Sequence, residues 1–586
     1  MGKYLLRFFI FLLVIISFLI IYLSYFGIET DKFDSLIKDR ANKINHNVKL
    51  EFNKTIIRLN PLELNLIIKL NEPKIIIRGS EVNLSKIDLF LALNSFVSSD
   101  FLLKRAEVAF FENNIKDLVK ISNIFLPKFL NKKLNKVFSS GNLQGELVIP
   151  FNSDGSIAEN YQINAKVLDA NININDDLKI RSLSTDINYD FKSGKDKEIN
   201  LFVNKGNILN LDLQKSVVSI NLRENKTIIK SKIQTSGLVK LQEVKIISSL
   251  LGLNIKNIKN IELNSDLETS IKISLNNRYK VTDRKFDVKG NIVNLNLEHK
   301  KVKTIKKFLP SYNSKVILKD TKVSLNNSNS LKLSGSISFD NQFNDFLINY
   351  SGLNEKNFRA IGKISLQELS LKIPNLNYSK EKNIKADLDF YIDGSKFSYD
   401  IDRLLYSSEK SKIELDQIKL NKKFEIKDIQ NIKVKTFNDN FKNNEFHIGK
   451  HGTLKNTIFI VGELLDAEPL LKSLYKTNDK KTLSKDFNSE VKVNLDKAVT
   501  GSQDDITDLS MIASIKKGTY NKLSLKGNFS ENEIIEMSIY QIDKDKKTLQ
   551  VISDRARPFI KNFKFIKGFE DGKLEYESTI TKDINN

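Results

Sequence analysis

Cysteine and tryptophan are absent from the 586 residues, histidine occurs four times, and proline and glycine number only 8 and 23. Without cysteine there can be no disulfide framework, thiolate metal site, iron–sulfur cluster or thiol nucleophile, and four histidines leave little imidazole for catalysis. So little glycine and proline excludes collagen-like, proline-rich and flexible-linker architectures and implies mostly regular structure. No nucleophile elbow, phosphate-binding loop or HExxH motif occurs, and the chain does not read as an enzyme. His447 and His451 stand four apart in HIGKHG, but two glycines and no nearby acidic set read as a loop rather than a metal centre. Asp176-Asp177 and Asp504-Asp505 fall in polar, turn-like runs and read as solvated hairpin tips. No cofactor is expected.

Lysine, asparagine and isoleucine are plentiful. The 93 Lys and Arg outnumber the 71 Asp and Glu by 22, yet the basic residues alternate with Asp, Glu and Asn along the whole chain. A nucleic-acid binder would concentrate them, so solvated strand faces explain the charge and no nucleic-acid partner is expected. With 40% apolar and 28% charged residues, most of the chain should fold.

One long hydrophobic run is present. From Phe8 to Ile28 no charged residue occurs, and at ~1.5 Å per residue the run spans about 30 Å, one bilayer core. Phe8, Phe11, Leu12, Ile15, Leu19, Tyr22 and Phe26 are the candidate membrane-anchor residues. Lys3 and Arg7 precede the run and Glu29 and Asp31 follow it, which keeps the N-terminus cytoplasmic and sends the bulk across the membrane. The run ends Tyr25-Phe26-Gly27-Ile28, unlike a small-x-small cleavage site, and is too long for a signal peptide's apolar region. It reads as an uncleaved anchor.

The rest reads as strand after strand. Val48, Leu50 and Phe52 alternate with polar residues, as do Leu62, Leu64, Leu66, Ile68 and Leu70, so each apolar set shares one sheet face. The same period recurs at Leu209/Leu211/Leu213, Val293/Leu295/Leu297 and Val491/Val493/Leu495. Leu331/Leu333/Ile337/Phe339 against Lys332/Ser334/Ser336/Ser338 is the cleanest case. The phase slips where Ala165 and Val167 give way to Ala170, Ile172 and Ile174, a bulge or a strand break. Helical patterning is confined to roughly 32–46, 116–138, 239–252, 302–309, 467–475 and 555–566.

A one-sided antiparallel sheet of this length has too few helices to cover its apolar face. Either the sheet curls until its halves cover each other, or it stays open as a trough whose floor a ligand covers. A trough suits a membrane-anchored protein. Moving an acyl chain from bilayer to water costs ~0.8 kcal/mol per CH₂, on the order of 12 kcal/mol for sixteen carbons, and a continuous apolar channel removes most of that.

The order of pieces resembles the AsmA-like proteins, in particular their YhdP-like branch. After the membrane span come a short helix (DKFDSLIKDRANKI, 31–44), VKLEFNKTIIRLNPLELNLIIKLNEPKIIIRG, SEVNLSKIDLFLAL and FLLKRAEVAFFE. LPKFLNKKLNKVFSSGNLQGELVIPFNSDG (126–155) is similar to that branch's middle region. Gly462-Glu463-Leu464-Leu465-Asp466-Ala467 and residues 549–578 resemble its closing strand, acidic turn, helix, turn and strand, with Ser553-Asp554 and Gly572-Lys573-Leu574 carrying the match. Arg555 and Arg557 stand where the family has an acidic residue and a glycine, and Asp571 replaces the first glycine of a pair. Long YhdP-like members continue past the final strand, so this chain is expected to be a shortened or partial member.

The resemblance implies a mainly β protein: an N-terminal transmembrane helix, then a long, curled antiparallel sheet forming an elongated groove with a few short covering helices. The implied division is an anchor at 1–30, an AsmA-like N-terminal region at 31–115, a YhdP-like middle groove at 116–460 and an AsmA-like C-terminal region at 461–586. The implied function is a bridge anchored in the bacterial inner membrane, with its bulk in the periplasm, carrying phospholipid toward the outer membrane. Phospholipids and the inner membrane are the implied partners, with the outer membrane or an envelope protein at the far end. About 25–35 strands at ~4.8 Å spacing would make a trough of roughly 120–170 Å. Leu62, Leu64, Leu66, Ile68, Leu331, Leu333, Ile337 and Phe339 are the candidate lipid-groove residues, although alternation alone does not separate a lined channel from a packed interior. The alternative is an assembly factor for outer-membrane biogenesis that binds proteins without carrying lipid.

Overall fold

A computed structural model describes residues 2–44, 48–77, 80–93, 102–122, 134–156, 158, 160–191, 197–223, 225–251, 255, 258–300, 303–327, 329–352, 356–450, 456–474, 483–543, 546–560 and 572–581. The protein is mainly β: an N-terminal apolar helix is followed by a long sheet and a few short helices. The chain divides into two compact units, Met1–Val239 with Asn264–Lys289, and Lys240–Leu263 with Gly290–Asn586.

The apolar run forms the helix Gly2–Tyr25. Within Lys3–Tyr25 an 18-residue window has a mean hydropathy of 2.8 and no residue buried in the protein, so the helix is long and apolar enough to cross a membrane. Phe8, Phe11, Leu12, Ile15, Leu19 and Tyr22 are all exposed on it, and Phe26 is exposed just beyond its end. The hydroxyls of Ser17 and Ser24 donate to the carbonyls of Leu13 and Ile20, so both serines satisfy their donors within the helix. The helix stops at Gly27, whose φ of 75° is open to glycine at no steric cost and whose N–H returns to the Tyr22 carbonyl.

In the first unit, the period-two segments become strands such as Lys54–Asn60, Asn65–Asn71, Ser80–Ala92 and Leu103–Asn114, paired antiparallel with their neighbours. One expectation fails here. Leu62 and Leu64 lie not on the sheet face but in the turn between the first two of these strands, 95% and 66% exposed. Pro61 fixes its own φ, and the Asn60 side-chain oxygen accepts the N–H groups of Leu62 and Glu63, so a local asparagine turn replaces two residues of ladder. Leu66 and Ile68 are on the strand. Ile68, 2% exposed, is sealed with Leu70 and Ile87 beneath Ile37 of the helix Asp34–Ile44.

The phase slip at Ala165–Ala170 is a bulge inside the continuous strand Gln162–Asn173, centred on Asp169 at φ 47°. It is one of a series. Ser182 and Lys215 in this unit, and Asp320 and Asp508 in the second, also adopt left-handed φ within strands, each beside a shift in pairing register. A bulge leaves a backbone group without its ladder partner and bends the strand. Hydroxyls fill the gap: Ser184 accepts the Asp169 N–H, Ser216 accepts the Gln234 N–H, and buried Thr321 donates to the Lys319 carbonyl.

The second unit largely repeats the antiparallel pattern. Thr457–Asp466 and Ser489–Val499 run parallel, so the chain recrosses the sheet between them. The described ends of that crossing include the helix Glu468–Leu474, and they place Leu471, Leu483 and Phe487 against the apolar face.

Candidate functional site

In an antiparallel ladder, directly opposed residues share a face, so the register traces that face from strand to strand. In the second unit Val323 opposes Leu333, Leu333 opposes Ile348, and the row runs on through Gly362, Phe390, Leu404 and Leu415. From Leu415 it continues through Ile432, Ile448 and Ile460, crosses the parallel pair to Val493, and passes Met511, Leu525, Met537 and Val551 to Tyr576. No charged residue interrupts it. Fifteen steps of ~4.8 Å make roughly 70 Å of apolar track along the sheet.

The track is half-buried for most of its length, including Leu333, Ile348, Leu415, Ile432, Ile448 and Ile460. Two residues along the same strands, Phe346, Tyr406, Ile413, Val434 and Phe446 are buried, as is Ile337, four residues from Leu333. The segment after Ser365 closes it by laying Leu366, Leu369 and Tyr378 over these strand ends. That cover is pinned by polar contacts. Buried Asn444 donates to the Leu376 carbonyl at 2.8 Å, Asn377 donates to Asp466 at 2.8 Å, and the hydroxyls of Tyr378 and Tyr406 meet at 2.6 Å. Burial pushes the Tyr406 hydroxyl well above the usual phenol range. One side of the track is therefore shut.

At the opposite ends of these strands the face meets an aromatic ladder. Tyr350 stacks on Phe358 at 5.4 Å, Phe358 lies 6.3 Å from Tyr399, and Tyr399 stacks on Phe424 at 5.1 Å. The rings share the track's face, since Phe358 is two residues from Ala360 and Tyr399 two from Ile401, whose partners are Tyr350 and Ile392. An open cleft of about 480 Å³ adjoins the ladder, lined by Ser351, Asn357, Phe358, Arg359, Asp393 and Asp400 among others.

The reverse face of the sheet is wet. Arg359 faces Asp393, Lys435 faces Glu445 and Lys526 faces Glu536 in register, with contacts of 2.8 Å in each pair. Two hydrogen bonds from Arg359 hold the Asp393 carboxyl below its usual range. Such exposed pairs add little stability, but they mark which face is meant for water.

The first unit carries a shorter row of the same kind: Leu70, Ile87, Val108, Leu147, Ile163, Tyr189, Ile199, Ile220 and Ile229. Of the residues expected to line a groove, Leu333 sits on the long track, Leu331 and Ile337 flank it, and half-buried Phe339 packs at its closed side. Leu62 and Leu64 lie off any apolar face, and Ile68 is in the sealed N-terminal core. The aromatic ladder escaped the sequence reading, because its members are scattered over 75 positions and only the pairing register brings them together.

His447 is on the strand Phe441–Lys450, not in a loop, with Nε2 2.6 Å from the Asn431 side-chain oxygen. His451 lies outside the described residues. Asp504 is not a solvated tip either: it is buried, with Arg555 at 2.8 Å and Arg557 at 3.7 Å, while Arg555 also pairs with Glu533. The two arginines of the closing turn thus form an ion-pair cluster. Among the described residues no group of three or more His, Asp or Glu could hold a metal ion. No known protein family, curated protein or solved structure matches the chain.

Proposed function

We propose that this protein is an AsmA-like, YhdP-like envelope protein that conducts phospholipid between the inner and outer membranes along an apolar groove. The N-terminal helix anchors it in the inner membrane with its N-terminus in the cytoplasm and the sheet in the periplasm; Lys3 and Arg7 ahead of the helix support that orientation. Transport along the groove needs no chemical step, and the chain acts as a non-enzymatic conduit. The observation that carries this reading is the row from Val323 to Tyr576, free of charged residues and half-buried rather than sealed along most of its path. An acyl chain on such a row would avoid the ~0.8 kcal/mol per CH₂ that water would exact.

The test is mass spectrometry of the full chain extracted in mild detergent, beside a Leu333→Asp variant. A conduit brings more than one phospholipid per chain, and the charge on the track lowers that number and blocks lipid passage while the protein still folds. A lipid-free chain, or a Leu333→Asp protein that unfolds as a dry core would, refutes the groove.

A further inference from the structure

We infer that the aromatic rim of the second unit seats a phosphate-bearing lipid headgroup, its lysines pairing with the phosphate while the acyl chains lie on the adjoining track; this rests on the groove reading above. Two neighbouring hairpin tips project at this rim. One is Ser395-Lys396-Phe397, ahead of the strand Ser398–Ser408, and the other is Lys422-Lys423-Phe424, after the strand Lys412–Asn421. Ser398 opposes Asn421, so the tips are adjacent. Each presents an exposed phenylalanine, 71% at Phe397 and 68% at Phe424. The Lys422 ammonium sits 3.8 Å from the Tyr399 ring centre and the Lys396 ammonium 5.2 Å from that of Phe397. A cation held on rings at the upper edge of an apolar face is the arrangement that meets an amphiphile where its tail ends and its charge begins.

The other ends of the same strands supply the contrast. There Lys382 is paired with Asp340, Lys410 donates to Asn440, and Lys442 bridges Glu445 and Glu463. Among the described residues Lys396, Lys422 and Lys423 have no ion-pair partner, and their charge is available to a ligand. The cleft beside the ladder is not itself the anion seat, because it carries Asp393 and Asp400. The phosphate therefore belongs at the lysine tips, and the rings belong at the glycerol level below it.

The experiment compares detergent-solubilised full-length protein with a Lys396→Gln/Lys422→Gln/Lys423→Gln variant. Binding of fluorescent phosphatidylglycerol and of diacylglycerol with the same acyl chains is measured, with inorganic phosphate as competitor. The wild type should favour the phospholipid, and the variant should lose roughly fivefold in affinity for it while its diacylglycerol affinity stays unchanged. Lys410→Gln should leave both affinities unaltered. A variant that keeps the full preference overturns the headgroup seat and leaves the groove standing, whereas a wild type that binds neither lipid overturns the groove itself. Displacement of phosphatidylglycerol by millimolar inorganic phosphate would overturn the lipid assignment in favour of a free-anion site. A second variant, Lys423→Gln alone, touches no ring contact and should show part of the loss, which separates charge from folding.

Discussion

Gly394 lies where the Phe358 ring crosses the neighbouring strand, and a Cβ there would fall well inside the ring's van der Waals contact. Gly394→Ala should cost about 1–3 kcal/mol by overpacking, read as a lower urea midpoint, because the ladder from Tyr350 to Phe424 has to shift with Phe358. His447 has a different sensitivity. Burial, then the nearby Lys433 charge, holds its imidazole below its usual range, and the neutral ring donates to Asn431. The unfolded chain takes up the proton first, so this contribution is intact above about pH 6.5 and fades as the pH falls from there toward the lower folded value. Urea midpoints at pH 7.5 and 5.5 should differ less for His447→Gln than for the wild type; an equal difference would rule out the histidine as a source of acid sensitivity.

On a single strand, the face can be tested for closure. Ile413 and Leu415 are two residues apart on Lys412–Asn421 and point the same way, but Ile413 is buried under the Tyr378 cover while Leu415 is half-buried on the track. Ile413→Ala should cost about 2–5 kcal/mol, and Leu415→Ala nearer 1 kcal/mol, because its side chain leaves less surface on truncation. Equal losses in chemical denaturation would mean that the track is as sealed as its flank. Alternation in the sequence was enough to place Leu331, Leu333 and Ile337 on one face, since period two is a local property of the strand. It could not locate what tertiary structure decides. Ser338 is fully buried although it alternates with the greasy positions. The bulges at Ser182, Lys215, Asp320 and Asp508 leave no clear break in the hydrophobic pattern, and a burial partner for Asp504 comes from Arg555, 51 positions away. The turn at Pro61 was written in Asn60-Pro61, but the leucines on either side of Glu63 masked it.

For the chain as a whole, the N-terminal helix makes a simple forecast. Full-length protein should stay with membranes through a carbonate wash, and a form lacking residues 2–26 should appear in the soluble fraction; retention of the shortened form would place a second membrane contact elsewhere. The register has a further consequence for how such a chain can vary in length. Inserting one residue inside a strand exchanges its oily and watery sides, and inserting one strand turns every later hairpin upside down. Size is therefore quantised: the sheet can lengthen or shorten only by hairpins, about 10 Å at a time. The parallel junction between Thr457–Asp466 and Ser489–Val499 is the exception to that rule, because a backbone that travels back before pairing enters the next strand in the same direction and lets a single strand be added.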